Sequence, residues 1–154
     1  MEENRRIAKL FQDLYNGDPW LDVTIKATLS RLTAAEAAAR VMDKCNTIWE
    51  IVNHLIAWRK TVKARIMGHT IKSPDNNYFQ EIRDTSDQAW SRTLQEFDAS
   101  QDEWVEFLLK LNDADLQKPY LSGQMTNYDL ILGINQHDAY HLGQIVILAK
   151  QGRK

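Results

Sequence analysis

Only three prolines interrupt this chain of 154 residues, and each falls in a stretch that reads as a turn or a linker. Pro19 closes "NGDP", Pro74 lies in "HTIKSPDNNYF", and Pro119 lies in "KPYLSGQ". Proline removes a backbone donor and clashes with the preceding helical turn, whereas glycine loosens a helix through backbone entropy. The two together make up only nine of 154 residues, against roughly 12% in an average chain. The segments between the breaks are therefore free to run as long helices.

The apolar spacing agrees. From Asn4 to about Tyr15, Ile7, Leu10, Phe11 and Leu14 repeat at three and four residues, the pattern of an amphipathic helix. A short helix is expected over "LDVTIKATLSRL" and another over "TAAEAAAR", where Thr33 and Glu36 form a reciprocal capping pair. Thr47 and Glu50 repeat that signature ahead of a long helix carrying Ile48, Ile51, Val52, Leu55, Val62 and Ile66, which Gly68 is placed to stop. After a polar loop long enough to cross a bundle end or cover a site, Ser86 to about Leu111 carries Trp90, Leu94, Phe97, Trp104, Phe107 and Leu108. Thr126 and Asp129 open the last helix, which runs to Gln151 and ends at Gly152, with Arg153 and Lys154 near the negative end of its dipole. Four principal helices with a short helical pair between the first two predict an all-α four-helix bundle, one domain over residues 1–154.

Composition narrows the functional classes. A formal charge of −2 leaves no basic footprint for nucleic acid, and no apolar run approaches the roughly 20 residues of a membrane span. The opening "MEENRRIAKL" lacks the apolar centre of a signal peptide, so a cytoplasmic location is expected. Cys45 is the only cysteine, which excludes an internal disulfide and a cysteine-rich zinc site and suits a small core or interface residue.

The chemistry lies in the histidines. On the last helix Leu130, Ile134, His137, His141, Gln144 and Leu148 share one face. On the second long helix Ile51, His54, Leu55 and Trp58 do the same. Three imidazoles thus point inward from two helices. Leaving each unpaired would cost on the order of 1–3 kcal/mol. A divalent ion between helices roughly 8–10 Å apart would satisfy all three. So would a buried hydrogen-bond network, and the residues by themselves leave both open.

Two motifs also resemble those of a known family. "HDAYHLGQIVILAKQG" is similar to the C-terminal motif of the DinB-like metal-binding superfamily, with two histidines four apart followed by Gly-Gln. "TIWEIVNHLIAWRK" resembles its other motif, a helical histidine followed by apolar residues and a tryptophan, and "DPWLDVTIKATLSRLTAAEAAAR" is similar to the segment before it. The resemblance implies a four-helix bundle holding one divalent metal on His54, His137 and His141. It further implies a metal-dependent enzyme of stress or detoxification chemistry, either a transferase of a low-molecular-weight thiol or a small-molecule hydrolase. The alternative is a metal-binding scaffold without turnover. Zinc and nickel are the expected metals, with iron(II) and manganese also able to use imidazole.

Around that set, Glu50 is a candidate catalytic base or orienting group for His54, or else only the capping partner of Thr47. Asp138 and Gln144 are candidates for a supporting role behind the ligands, and Trp58 and Tyr140 for packing or site walls. Gly143 suggests a close helix approach. His69 reads as surface. Arg59, Lys60, Lys63 and Arg65 read as a solvated basic flank, or as a rim for a carboxylate-rich thiol. Trp20, Trp49, Trp90 and Trp104 are many large rings for a small bundle and lead to the expectation of a homodimer face.

Overall fold

The computed structural model describes residues 2–120 and 123–152. Their order is α1 (Glu3–Asn16), α2 (Ile25–Leu29), α3 (Ala34–Ala38), α4 (Ile48–Ile66), α5 (Asp87–Lys110), α6 (Asp113–Gln117), β1 (Pro119–Tyr120), β2 (Met125–Thr126) and α7 (Asn127–Gln151). The four long helices α1, α4, α5 and α7 form the all-α bundle, with the short pair α2 and α3 between the first two as the spacing predicts. What reads as one linker before Thr126 instead holds α6 and a two-residue antiparallel ladder pairing Pro119 with Thr126. Among the described residues no helix is long and apolar enough to cross a membrane.

The local signals work as their chemistry requires. Thr33 with Glu36, Thr47 with Glu50 and Thr126 with Asp129 all close as reciprocal capping boxes, and Asn112 with Asp115 adds a fourth. Each satisfies otherwise orphaned N–H groups, a contribution of about 1 kcal/mol. Gly68 takes φ +93° after α4, a left-handed conformation that a side chain resists. Gly152 follows α7, while Arg153 and Lys154 lie outside the described residues. One apolar assignment fails on α1: Leu10 is 49% exposed, and Asn4, Ala8 and Tyr15 are buried alongside Ile7, Phe11 and Leu14. Asn4 earns its burial by donating to the carbonyls of Leu109 and Leu111 at 3.0 and 2.8 Å, which finishes the end of α5.

Cross-helix pairs fix the directions. Asn4 meets Leu109 while Tyr15 meets Asp98, so α1 and α5 are antiparallel. His54 meets His141 while Arg59 meets Asp138, so α4 and α7 are antiparallel. Trp49 meets Thr93 while Lys63 meets Glu103, so α4 and α5 run parallel. Parallel neighbours need a connection that returns along the bundle. Residues 67–86 are that return, climbing beside α4 through Arg65 to Ile71, Thr61 to Tyr78 and His54 to Asn77.

The core is split by a polar layer. One apolar cluster contains Tyr15, Ile56, Phe97 and Leu142; the other contains Phe11, Val62, Trp104 and Ile134. Between them, on successive helices, lie buried Arg59 and Thr61, Ser100 and Gln101, and Asp138 and His141. Arg59 donates to one Asp138 oxygen from Nε at 3.1 Å and Nη2 at 2.7 Å. Its guanidinium also sits 4.9 Å from the Phe97 ring centre and 5.6 Å from that of Tyr15. Arg59 is thus not on a solvated flank. Of the four tryptophans whose exposed fraction is expected to form a dimer face, Trp49, Trp90 and Trp104 are internal, at most 4% exposed, and Trp20 stands in solvent. Trp49 and Trp90 bond Thr93 and the Leu32 carbonyl through their indole N–H groups.

Arg59→Met removes one member of a buried pair and strands the Asp138 charge. It is expected to lower the urea-unfolding free energy of the metal-free protein by about 3–5 kcal/mol. Adding Asp138→Leu should recover most of that loss, because no isolated charge then remains.

A candidate metal centre

His54 sits near the middle of α4, while His137 and His141 lie one turn apart on antiparallel α7. The helical pair and the facing helix bring the three rings to centroid separations of 4.9, 4.7 and 4.5 Å. One nitrogen from each lies within 4.8 Å of the others, a set that could hold a metal ion. His54 is fully buried, His141 is 6% exposed, and the His137 side chain is 24% exposed, so the cluster reaches solvent along one edge.

The outer hydrogen bonds determine which nitrogens face inward. The Asn77 carbonyl lies 2.6 Å from His54 Nδ1 and can only accept, so that nitrogen carries the proton and Nε2 carries a lone pair. Gln144 donates its amide to the Tyr140 hydroxyl at 3.0 Å, which leaves its Oε1 to accept from His141 Nδ1 at 2.7 Å. His137 Nδ1 has only a carboxylate near it, Asp138 Oδ1 at 3.5 Å. His54 and His141 therefore direct the Nε2 lone pair toward the shared centre, and His137 sets its Nε2 beside them. His54 Nε2 and His137 Nε2 are 2.8 Å apart. A proton on the His137 nitrogen or a cation between the two relieves the repulsion of lone pairs at that distance, and a single proton serves one pair only. The donor set fits a divalent ion.

Charge tuning agrees. Burial, opposed by the Asn77 carbonyl and aided by the other two histidines, lowers the His54 pKa to about 4. Burial and then His137 lower that of His141. Both are neutral near pH 7, the form that binds metal. Burial alone would raise the Asp138 carboxyl, but Arg59 and His137 outweigh it and keep it ionised.

The crossover supplies the remaining walls. Phe79 stacks on His54 with ring centres 4.0 Å apart and planes 7° from parallel. Trp58 stands 6.0 Å from His137 and donates its indole N–H to Asn77 Oδ1 at 3.0 Å. Asn77 and Tyr78 hold φ of 50° and 64°, left-handed values that a tyrosine resists. The Tyr78 hydroxyl, bonded to Thr61 at 2.9 Å, helps hold them there.

Other expected site residues fall elsewhere. The Glu50 carboxylate accepts from the Thr47 N–H at 2.7 Å and from Arg40 Nη2 at 2.9 and 3.1 Å. It is a cap and an ion-pair partner, and the group that orients His54 is Asn77. His69 is exposed. Lys60 pairs with Glu96, Lys63 with Glu103, and Arg65 grips the Ile71 carbonyl and Ser73, so the basic flank is individually partnered. Gly143 is exposed, and a Cβ there would meet nothing within 4 Å, so close helix approach does not explain it. Arg59 reads as part of the basic flank although it continues the Val52, Leu55, Val62 stripe, whereas Asn77 and Phe79 have only the "NNYF" turn as a signal.

Histidines held neutral in the fold titrate near 6.5 once unfolded. Below that pH the unfolded chain binds more protons, so stability falls with pH over the window from about 6.5 to about 4. Urea midpoints of metal-free protein should show that slope, and His54→Gln should lose its share of it. Equal slopes in the two proteins would mean that His54 is not held neutral by the fold.

A family model described as the DinB superfamily matches residues 23–145, a span that contains the three clustered histidines. Searches of curated proteins and of solved structures found no match. With the match covering most of its length, the chain belongs to the DinB superfamily.

Proposed function

We propose that this protein is a metal-dependent enzyme that transfers a low-molecular-weight thiol to a small electrophile. The observation that carries the reading is the convergence of three imidazole nitrogens with no anionic ligand among them. A divalent ion bound there, zinc or nickel by preference, supplies undiminished Lewis acidity that lowers the pKa of a thiol or water brought against it.

The chain's own residues do the rest. His54, His137 and His141 would hold the ion, while Asn77 and Gln144 fix the tautomers of two of them and Asp138 stands behind the third. Phe79 and Trp58 exclude water from the inner side, and the exposed edge of His137 leaves a way in for reactants. Hydrolysis that relies on a protein general base is disfavoured, because the candidate bases are occupied. Asp138 is paired with Arg59, and Glu50 is tied into its cap and Arg40. An ionised thiol attacks without a general base. Its S–H proton goes to solvent, sulfur bonds to the electrophilic carbon, and the leaving group departs with its electron pair.

Protein purified without a histidine tag is expected to carry about one divalent ion per chain by elemental analysis. His141→Ala should lose most of it while the helical circular-dichroism signal survives. Retained stoichiometric metal in that variant would overturn the ligand assignment. The loaded protein, offered a panel of thiols and electrophiles, should consume thiol. Ester or amide hydrolysis without thiol loss would favour the hydrolase instead, and neither would leave a scaffold.

Gln144→Leu removes the acceptor behind His141 at a half-buried position. Metal affinity, read by chelator competition, should fall roughly 10- to 100-fold.

A further inference from the structure

A cavity of about 280 Å³ opens beside the histidine cluster and shares one side chain with it. It lies between the turn at residues 42–46 and the last turns of α7. Buried Ile51 and Leu148 form its apolar floor, and Met42 and Ile147, 41% and 55% exposed, stand at its mouth. The shared wall is Gln144, whose Oε1 accepts from His141.

The turn that closes the cavity is built rather than loose. The Cys45 N–H bonds the Met42 carbonyl at 3.2 Å, and Lys44 is held at φ 62°, left-handed for a residue with a side chain. Arg40 ties the turn down by donating to the Cys45 carbonyl with one nitrogen and to Glu50 with another. This gives the buried Glu50 carboxylate a purpose that the histidines do not. Strained backbone of this kind persists where the surroundings enforce it, often around ligand sites. Lys44 is the only charged residue lining the cavity, and no carboxylate of the described residues pairs with it. The volume of about 280 Å³ lies just below the roughly 300–1,000 Å³ of small-molecule sites, which suits a small ligand.

We propose that this cavity is the recognition pocket for a small carboxylate with an apolar body. The body packs between Met42, Ile147 and the floor, and the carboxylate meets Lys44. That the ligand is also the electrophilic substrate rests on the proposed function; that the pocket binds it does not.

Cys45 lines the pocket and is the chain's only cysteine, so its alkylation reads this place alone. The probe is 3-phenylpropionate, with 3-phenylpropylamine as its cationic counterpart. The carboxylate is expected to slow alkylation of Cys45 by N-ethylmaleimide at least threefold at saturation and to shift the NMR signal of the Gln144 side-chain amide. Lys44→Asn keeps a residue that tolerates left-handed backbone and should weaken binding about three- to fivefold, as loss of an exposed ion pair does. If Cys45 resists the reagent without ligand, the Gln144 signal decides. Neither protection nor a Gln144 shift at millimolar probe would overturn the proposal, as would equal binding of the amine. Each measurement is made with and without metal. Probe binding to protein that takes up no metal leaves the pocket standing and removes the enzyme reading; metal uptake without probe binding does the reverse.

Discussion

The buried ion pair of Arg59 and Asp138 is the constraint around which the bundle is arranged. A charged pair enclosed on all sides is stable only if its geometry is good and its surroundings polarisable, because desolvating each ion costs several kcal/mol. Here two nitrogens of the guanidinium reach one carboxylate oxygen, and the aromatic faces of Tyr15 and Phe97 lie near the cation. That requirement draws α1, α4, α5 and α7 to one level and divides the apolar core in two. It also places a fixed negative charge one residue from His137. The polar layer therefore serves packing and chemistry together, since the groups that make it costly to bury are those that would orient a metal ligand.

A second dependence follows from the parallel course of α4 and α5. Helices joined by a tight turn run antiparallel, and such a turn after Ile66 would have left His54 uncovered on that side. Because α5 begins at the other end of the bundle, the chain must travel back along α4, and it passes His54 on the way. The length of residues 67–86 is thus a consequence of topology before it is a feature of the site. Anchors at Arg65, Thr61 and Trp58 make the returning segment stiff enough to place one carbonyl and one phenyl ring on the histidine.

Much of this was legible in the residues. Capping pairs at Thr33, Thr47 and Thr126 and the near absence of breakers marked the helices, because those signals act within one turn of chain. The inward face shared by His137 and His141 was equally local. Arg59 was misjudged because a charge ordinarily marks the solvent side, and only its partner seventy-nine positions away reverses that. Asn77 and Phe79 were not legible, since their function depends on how a crossover lies against α4 rather than on any periodicity of their own. Glu50 carried two readings, and the deciding group was Arg40, which no helical spacing connects to it. The number of tryptophans does not say which rings are exposed, and three of the four find acceptors or ring partners inside.

The division of labour at the cluster has a further consequence. Ligand spacing is set by two long helices anchored in the apolar clusters, and such spacing changes little with local motion. Tautomer, by contrast, is set by side groups of different rigidity: a carbonyl in the strained Asn77–Tyr78 turn for His54, and a half-exposed glutamine for His141. A ring that lost its outer acceptor could turn its proton inward, and the lone pair at the centre would be gone although no helix had moved. The affinity of such a site for a metal would therefore depend less on where the imidazoles stand than on what holds their far sides. Gln144, which also walls the neighbouring cavity, is the one such group through which an occupant of that cavity could act on the histidines.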